Sequence, residues 1–269
     1  MLFGGMTLVA TYLYIGYRKK QRLKDIEKIP FKDVHRKLLS KLPHYKNLSD
    51  ADKQKIEKSI IRFVYTKEFI GVKMEVTDEM KIVISFYACL LLLHIETDNC
   101  YNNLHTIIIY PTPVVLKDVR ENGGIYTKED FVIDGQSAND TVILVWHDAK
   151  FEAYHLRHDN VIVHEFAHEI DFMDGEIDGV PPLENSKYNE WTSVLFEEYQ
   201  KLNNIAIKDR EWGKYKLLGS YAATNEAEFF AVVTERFFES PHSLNSHFPE
   251  LYKELKDFYN MDTLSLVSN

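Results

Sequence analysis

Asn160-Val-Ile-Val-His164-Glu165-Phe-Ala-His168-Glu-Ile-Asp171 carries an HExxH motif inside an apolar, helix-patterned run. His164 and His168 are four residues apart, so they leave one helical face together and reach a single Zn²⁺. Glu165 stands about 100° around the helix from His164, beside the metal rather than beneath it. A carboxylate there is placed to take a proton from a zinc-activated water. Asp159 or Asn160 supplies a cap at the helix start, and Asp174-Gly175 ends it. Val161, Ile162, Val163, Phe166, Ala167 and Ile170 make the run apolar enough for burial. Buried imidazoles are costly without partners, which favours a metal over a chance pattern.

A chain of 269 residues with 45% hydrophobic content is long enough for a sizeable core. Its net charge of −9, with no stripe of basic and aromatic residues, argues against a nucleic-acid-binding surface. Cys89 and Cys100 have neither CxxC spacing nor a His cluster beside them. Two reduced, partly buried thiols in a reducing compartment are expected. His155 and His158, and likewise His94, His105 and His147, read as surface or structural residues.

Residues 1–17 are uncharged, and Arg18, Lys19, Lys20, Arg22 and Lys24 follow at once. A secretory signal would put its positive charge first. At 1.5 Å per residue the run spans about 25 Å, short of a bilayer core of about 30 Å, a gap that snorkelling Arg and Lys cover. The expectation is a membrane anchor with its basic flank over residues 1–25. The rest of the chain would then lie on the cytoplasmic side of the inner membrane. The run 82–93 is too short to span and reads as a buried core helix capped by Thr77 or Asp78.

Residues 18–30 are charged and helical in pattern, and 31–72 read as helical with a break at 43–47 and Ser49 as a cap. The core helix covers 77–95. Then Thr106-Ile-Ile-Ile-Tyr110, stopped by Pro111 and Pro113, opens a strand-rich part with further strands at 131–133 and 142–146 around the turn-rich 134–140. The motif helix falls at 160–173, and helices are expected over 186–202, 224–238 and 248–259. The fold class that follows is α+β: a mostly helical, zincin-like metallopeptidase with a small mixed sheet beside the HExxH helix. Residues 26–269 form the peptidase domain, with a helical part (26–100), a strand-rich part (101–150) and the metal-site helices (151–262). Many zinc peptidases bind peptide by strand addition to an edge strand beside the motif helix, and 142–146 is the strand expected to do so here.

A catalytic zinc keeps three protein ligands and one open position. A metzincin pattern would put the third ligand at Asp174, but the glycine it needs at position 171 is Asp171. The other route is a glutamate on a separate helix, where Glu226, Glu228 and Glu235 are available. Glu228 precedes Phe229-Phe230-Ala231-Val232-Val233, a face on which an unpaired carboxylate is expensive. Glu235 lies seven residues on, at nearly the same face. The residues alone leave these candidates open.

Residues 160–171 resemble the zinc peptidase family of Mlc titration factor A. So do Thr224-Asn-Glu-Ala-Glu228-Phe-Phe-Ala-Val-Val-Thr-Glu235-Arg-Phe-Phe-Glu-Ser-Pro241 and Phe248-Pro-Glu-Leu-Tyr252. The strand ends Ile109-Tyr110-Pro111 and Val145-Trp146 also fit, and the likeness runs in order over about residues 30–262. That family is similar to the catalytic domain of anthrax lethal factor in its HEFxH helix and in a tyrosine seven residues before the ligand glutamate. The resemblance implies His164, His168 and Glu228 as ligands of one zinc, Glu165 as general base, and Tyr221 as donor to the oxyanion. Asp171, three residues past His168, is expected to hydrogen-bond a ligand ring from behind.

The implied function is a zinc metallopeptidase acting on a peptide or protein substrate, aminopeptidase-like in preferring small peptides or chain ends. The resemblance also implies an alternative: a regulatory protein that sequesters a transcriptional repressor. An intact HExxH favours retained chemistry, because a pure binding module has no need of Glu165. A purely structural zinc site is disfavoured, since those sites usually close the coordination with cysteines.

Overall fold

The computed structural model describes residues 2–97, 100–112, 114–122, 125–133, 135–138, 140–156, 159–208 and 212–267, with the backbone alone for 2–10, 12, 15 and the strands between 114 and 138. The first part holds α1 (Leu2–Ile26), α2 (Asp33–Leu39), α3 (Pro43–Asn47), α4 (Asp50–Thr66), β1 (Glu68–Gly71) and α5 (Asp78–Leu91). Then come β2 (Thr106–Tyr110), β3 (Val114–Asn122), β4 (Ile125–Ile133), β5 (Gly135–Ala138) and β6 (Thr141–Val145). The last part holds α6 (Trp146–Tyr154), α7 (Val161–Asp171), α8 (Asn185–Ile207), α9 (Glu226–Glu239), α10 (Pro241–His247) and α11 (Pro249–Tyr259). This is the mostly helical α+β fold expected, with a small mixed sheet.

The sheet runs in the order β1-β2-β6-β5. β1, β2 and β6 are parallel, and β5 lies antiparallel to β6. Ile107 and Ile109 of β2 and Val142 and Leu144 of β6 are all fully buried, and the register sets Ile107 beside Val142 and Ile109 beside Leu144. Alternation along each strand therefore gives the sheet one continuous apolar face. β3 and β4 form a separate antiparallel pair.

Several expectations change here. Residues 142–146 are not an edge strand: β6 is paired on both sides, with β2 and with β5. The outer strands are β1 and β5, and β5, inside a segment read as turn, packs on α7. Trp146 starts α6 rather than ending a strand. Residues 68–71, read as helical, form β1, because the backbone after Thr66 finds a ladder partner in β2. Lys67 secures that switch by donating from Nζ to the Tyr101 carbonyl and, at 2.7 Å, to that of Leu104.

The expected anchor over residues 1–25 is also revised. Among the described residues no helix is long and apolar enough to cross a membrane. The uncharged run is diluted by Gly4, Gly5, Thr7, Thr11 and Gly16 and meets Arg18 after seventeen residues, where a span needs about 20 apolar ones. The basic half of α1 docks on α4: Arg22 donates to the Tyr65 carbonyl at 3.2 Å, and Ile26 is buried.

The core helix α5 starts at the Thr77 cap, whose hydroxyl accepts from the Met80 N–H at 3.3 Å. Its residues Val83, Ile84, Phe86, Tyr87, Ala88 and Leu90 are fully buried, as a helix apolar all round must be. α7 lies against α5, α9, β5 and β6. Phe166 of α7 meets Tyr101 at 5.0 Å and Phe63 at 5.7 Å between ring centroids, both edge to face. That packing holds the apolar side of α7 inward and turns its histidines towards α9.

Candidate metal centre

Asn160 caps α7 and ties it to α9. Its side-chain oxygen accepts from the Val163 N–H at 3.2 Å. Its amide donates to Glu239 Oε1 at 2.7 Å, and its backbone N–H to Glu235 Oε2 at 3.1 Å. From α6, Glu152 Oε2 accepts the Val161 N–H at 2.7 Å. Two N–H groups of the first turn thus find acceptors, as a buried helix start requires. α9 begins the same way: Asn225 accepts from the Glu228 N–H at 2.8 Å. That cap puts Glu228 in the first turn, where the helix dipole favours a carboxylate.

His164, His168 and Glu228 converge. His164 Nε2 lies 3.3 Å from His168 Nε2, and Glu228 Oε2 lies 3.1 Å from the first and 3.4 Å from the second. A tetrahedral zinc with bonds near 2.0–2.1 Å has ligand-to-ligand edges of about 3.3 Å. The donor set therefore fits zinc in both chemistry and spacing. Among the described residues this is the one cluster of three His, Cys, Asp or Glu side chains whose ligand atoms come this close together. The other carboxylates considered lie elsewhere. Asp174 is exposed and accepts the Glu176 N–H at 3.1 Å, and Glu226 is exposed.

Glu235 has a different place from the one weighed for it. Its Oε1 accepts from the His164 Nδ1–H at 2.5 Å. A carboxylate behind a ligand imidazole fixes the tautomer that leaves the Nε2 lone pair for a metal. The signal was present in the sequence, since Glu235 follows Glu228 by two helical turns on nearly the same face. Pairing with His164, however, required knowing that α9 packs along α7. Burial alone would lower the His164 pKa, but the carboxylates of Glu228 and Glu235 outweigh it and push the ring up to about 10. Burial also resists ionisation of Glu228, yet hydrogen bonds from His164 and His168 hold its carboxyl well below the usual carboxylate range.

Glu165 is buried, and its Oε2 has no hydrogen-bond partner. Burial first, then the negative charges of Glu228, Glu235 and Glu169, raise its pKa to about 8. A carboxyl poised near neutrality is what proton transfer demands. Tyr221 sits in a 3₁₀ turn (Tyr221–Ala223) before α9, its ring centroid 5.7 Å from that of His164. Partial burial and then the charge of Glu228 keep its hydroxyl protonated, so it remains a donor.

Asp171 does not meet a ligand ring. Its Oδ2 accepts the Gly179 N–H at 2.9 Å, while its Oδ1 and His168 Nδ1 are both buried without a partner. Burial raises the Asp171 pKa to about 7. Gly179 has φ +79°, and a Cβ there would stand 2.5 Å from the Glu226 carbonyl oxygen. The remaining histidines stay apart: His155 is exposed and stacked on Phe151, His147 pairs with Asp148, and His94 with Asp52. His158 lies outside the described residues.

Comparison with known proteins gives a consistent picture. The family described as glucose-regulated metallo-peptidase M90 matches residues 17–260. An uncharacterized protein of Synechocystis sp. is 37% identical over 231 residues, covering 83% of this chain and 82% of its own. A Klebsiella pneumoniae protein named Mlc titration factor A is 29% identical over 231 residues, covering 84% and 85%. Its namesake in Yersinia enterocolitica is 31% identical over 168 residues, 61% of each chain.

Proposed function

The chain belongs to the glucose-regulated metallo-peptidase family, and from that premise we propose that it hydrolyses peptide bonds with one zinc held by His164, His168 and Glu228. The observation that carries the reading is the trio of ligand-atom separations, 3.1, 3.3 and 3.4 Å. The proposed catalytic unit is residues 26–269. Bound there, zinc supplies the Lewis acidity that brings a water's pKa towards about 7. Glu165 takes the proton from the attacking water and passes it to the leaving amine. Tyr221 donates its hydroxyl to the oxyanion that develops on the scissile carbonyl. Glu235 holds the His164 ring. The outer edge of β5, beside α7, pairs with the backbone of the peptide. Aminopeptidase-like action, on small peptides or chain ends, is part of the proposal.

The name Mlc titration factor A carries a second reading, capture of a repressor, and the two separate in one experiment. Zinc content and turnover of a fluorogenic peptide panel are measured on the full chain, wild type and Glu165→Gln. About one zinc in both, with turnover falling by about 10²–10⁴ in the variant, is the expected result. Zinc in both with cleavage by neither moves the assignment to partner capture. Zinc in neither ends the metallopeptidase reading.

A further inference from the structure

Cys89 and Cys100 are both free; Cys89 is buried and Cys100 half-buried. The hydrogen bond from Tyr101, beside Cys100, to the carbonyl of Ala88, beside Cys89, brings the two cysteines together although they are eleven positions apart in the chain. Both line a cavity of about 630 Å³ that is also lined by Lys55, Arg62, His94 and Glu96. Cys100 also lines a second, smaller cavity with Arg62 and Lys67. Half-buried Cys100 is therefore the sulfur reachable from solvent, with Arg62 in both cavities and Lys67 in the second beside it, and Cys89 is the buried partner. We propose that Cys89 and Cys100 are a dithiol modification site, oxidised to an intramolecular disulfide by a small anionic disulfide of the glutathione type.

The two sulfurs divide the work by their surroundings. The Cys89 thiol donates towards Cys100, and with the nearby Lys67 and Arg62 charges it brings the Cys100 pKa down to about 7. Burial drives Cys89 the other way, well above the ordinary thiol value. A thiol with a pKa near ambient pH is the best attacking group. The Cys100 thiolate attacks one sulfur of the oxidant, breaks its S–S bond and expels one thiolate. Cys89 then loses its proton and attacks the Cys100 sulfur of the mixed disulfide, expelling the second small thiol. Overall the protein gives up two hydrogens, and the oxidant is reduced to two thiols.

The pair sits against the helix that carries His164 and His168. Tyr101, next to Cys100, donates to the carbonyl of Ala88, next to Cys89, at 2.7 Å, and its ring packs on Phe166. A bond formed between the sulfurs therefore acts on a contact already made with α7. The site itself stands independently of the peptidase reading, because its test uses mass and thiol count.

The native full chain is incubated with glutathione disulfide at pH 7.5 and analysed by intact mass and thiol titration. Expected are loss of both thiols, a mass decrease of about 2 Da, no dimer, and full reversal by dithiothreitol. Cys89→Ala is expected to stop as a stable single glutathione adduct on Cys100. Cys100→Ser is expected to react at least about tenfold more slowly than wild type. Two thiols remaining in the native wild type would overturn the proposal. So would a wild type that stops at the glutathione adduct, or one that oxidises only between chains. The wild-type mass decides the matter even if a variant fails to fold.

Discussion

The two motif histidines stand on one face of one helix, yet the protein holds them differently. His164 is gripped from behind: its Nδ1 meets Glu235 at 2.5 Å, and the other oxygen of Glu235 takes the Asn160 N–H that begins α7. His168 has no such grip. Its Nδ1 is buried without a partner, and Asp171, one turn on, spends an oxygen on Gly179. One ring is oriented by the fold before any metal arrives. The other takes its orientation from packing and from whatever its Nε2 binds. Preorganisation of a site is thus unequal even between two histidines of the same helical turn.

This inequality can be broken in graded steps. The largest effect falls on both rings at once: Glu228→Ala removes the shared carboxylate, and zinc content measured by atomic absorption should fall from about one per chain to near zero. Next, Glu235→Ala should weaken zinc binding by about 10–100-fold in chelator competition, because only His164 loses its rear partner. Asp171→Asn should alter zinc affinity by less than about threefold, since Asp171 makes no hydrogen bond to His168. An Asp171→Asn loss as large as that of Glu235→Ala would erase the distinction between the two rings.

The last test leaves zinc out altogether and reads a pH dependence. The Asp171 pKa is raised from 3.8 to about 7 in the folded protein, chiefly by burial. Its contribution to stability is therefore fully present below about pH 4 and is lost as pH rises through about 7. The unfolding free energy of the zinc-free protein, measured by urea titration, should decline over that window, and Asp171→Asn should flatten the decline. An unchanged slope in the variant would assign it to other groups.

What the sequence disclosed follows from the range over which each feature is determined. The ligand spacing, the Asn160, Ser49 and Thr77 caps and the buried α5 are written within a few residues of each other, and local periodicity reads them. The Glu235 grip joins two helices across 71 positions and depends on how α7 and α9 pack. β5 reads Gly-Gln-Ser-Ala, with little strand propensity, and becomes a strand because β6 offers it an open edge. β1 likewise exists only because β2 is beside it. The β3–β4 pair has its own local signal in Gly123-Gly124, a hairpin dipeptide between two β-rich runs.

Gly179 joins these threads. It holds Asp171 through its N–H, adopts a left-handed backbone, and leaves no room for a Cβ beside the Glu226 carbonyl at the start of α9. Both a backbone penalty and a collision with main chain oppose every other side chain there. In a saturation library selected for folded protein, codon 179 should return glycine alone, while the exposed Gly175, with open space around it, should accept asparagine. The tolerance map of this protein would thus mark a residue outside the His164, His168 and Glu228 cluster as sharply as it marks the proposed ligands themselves.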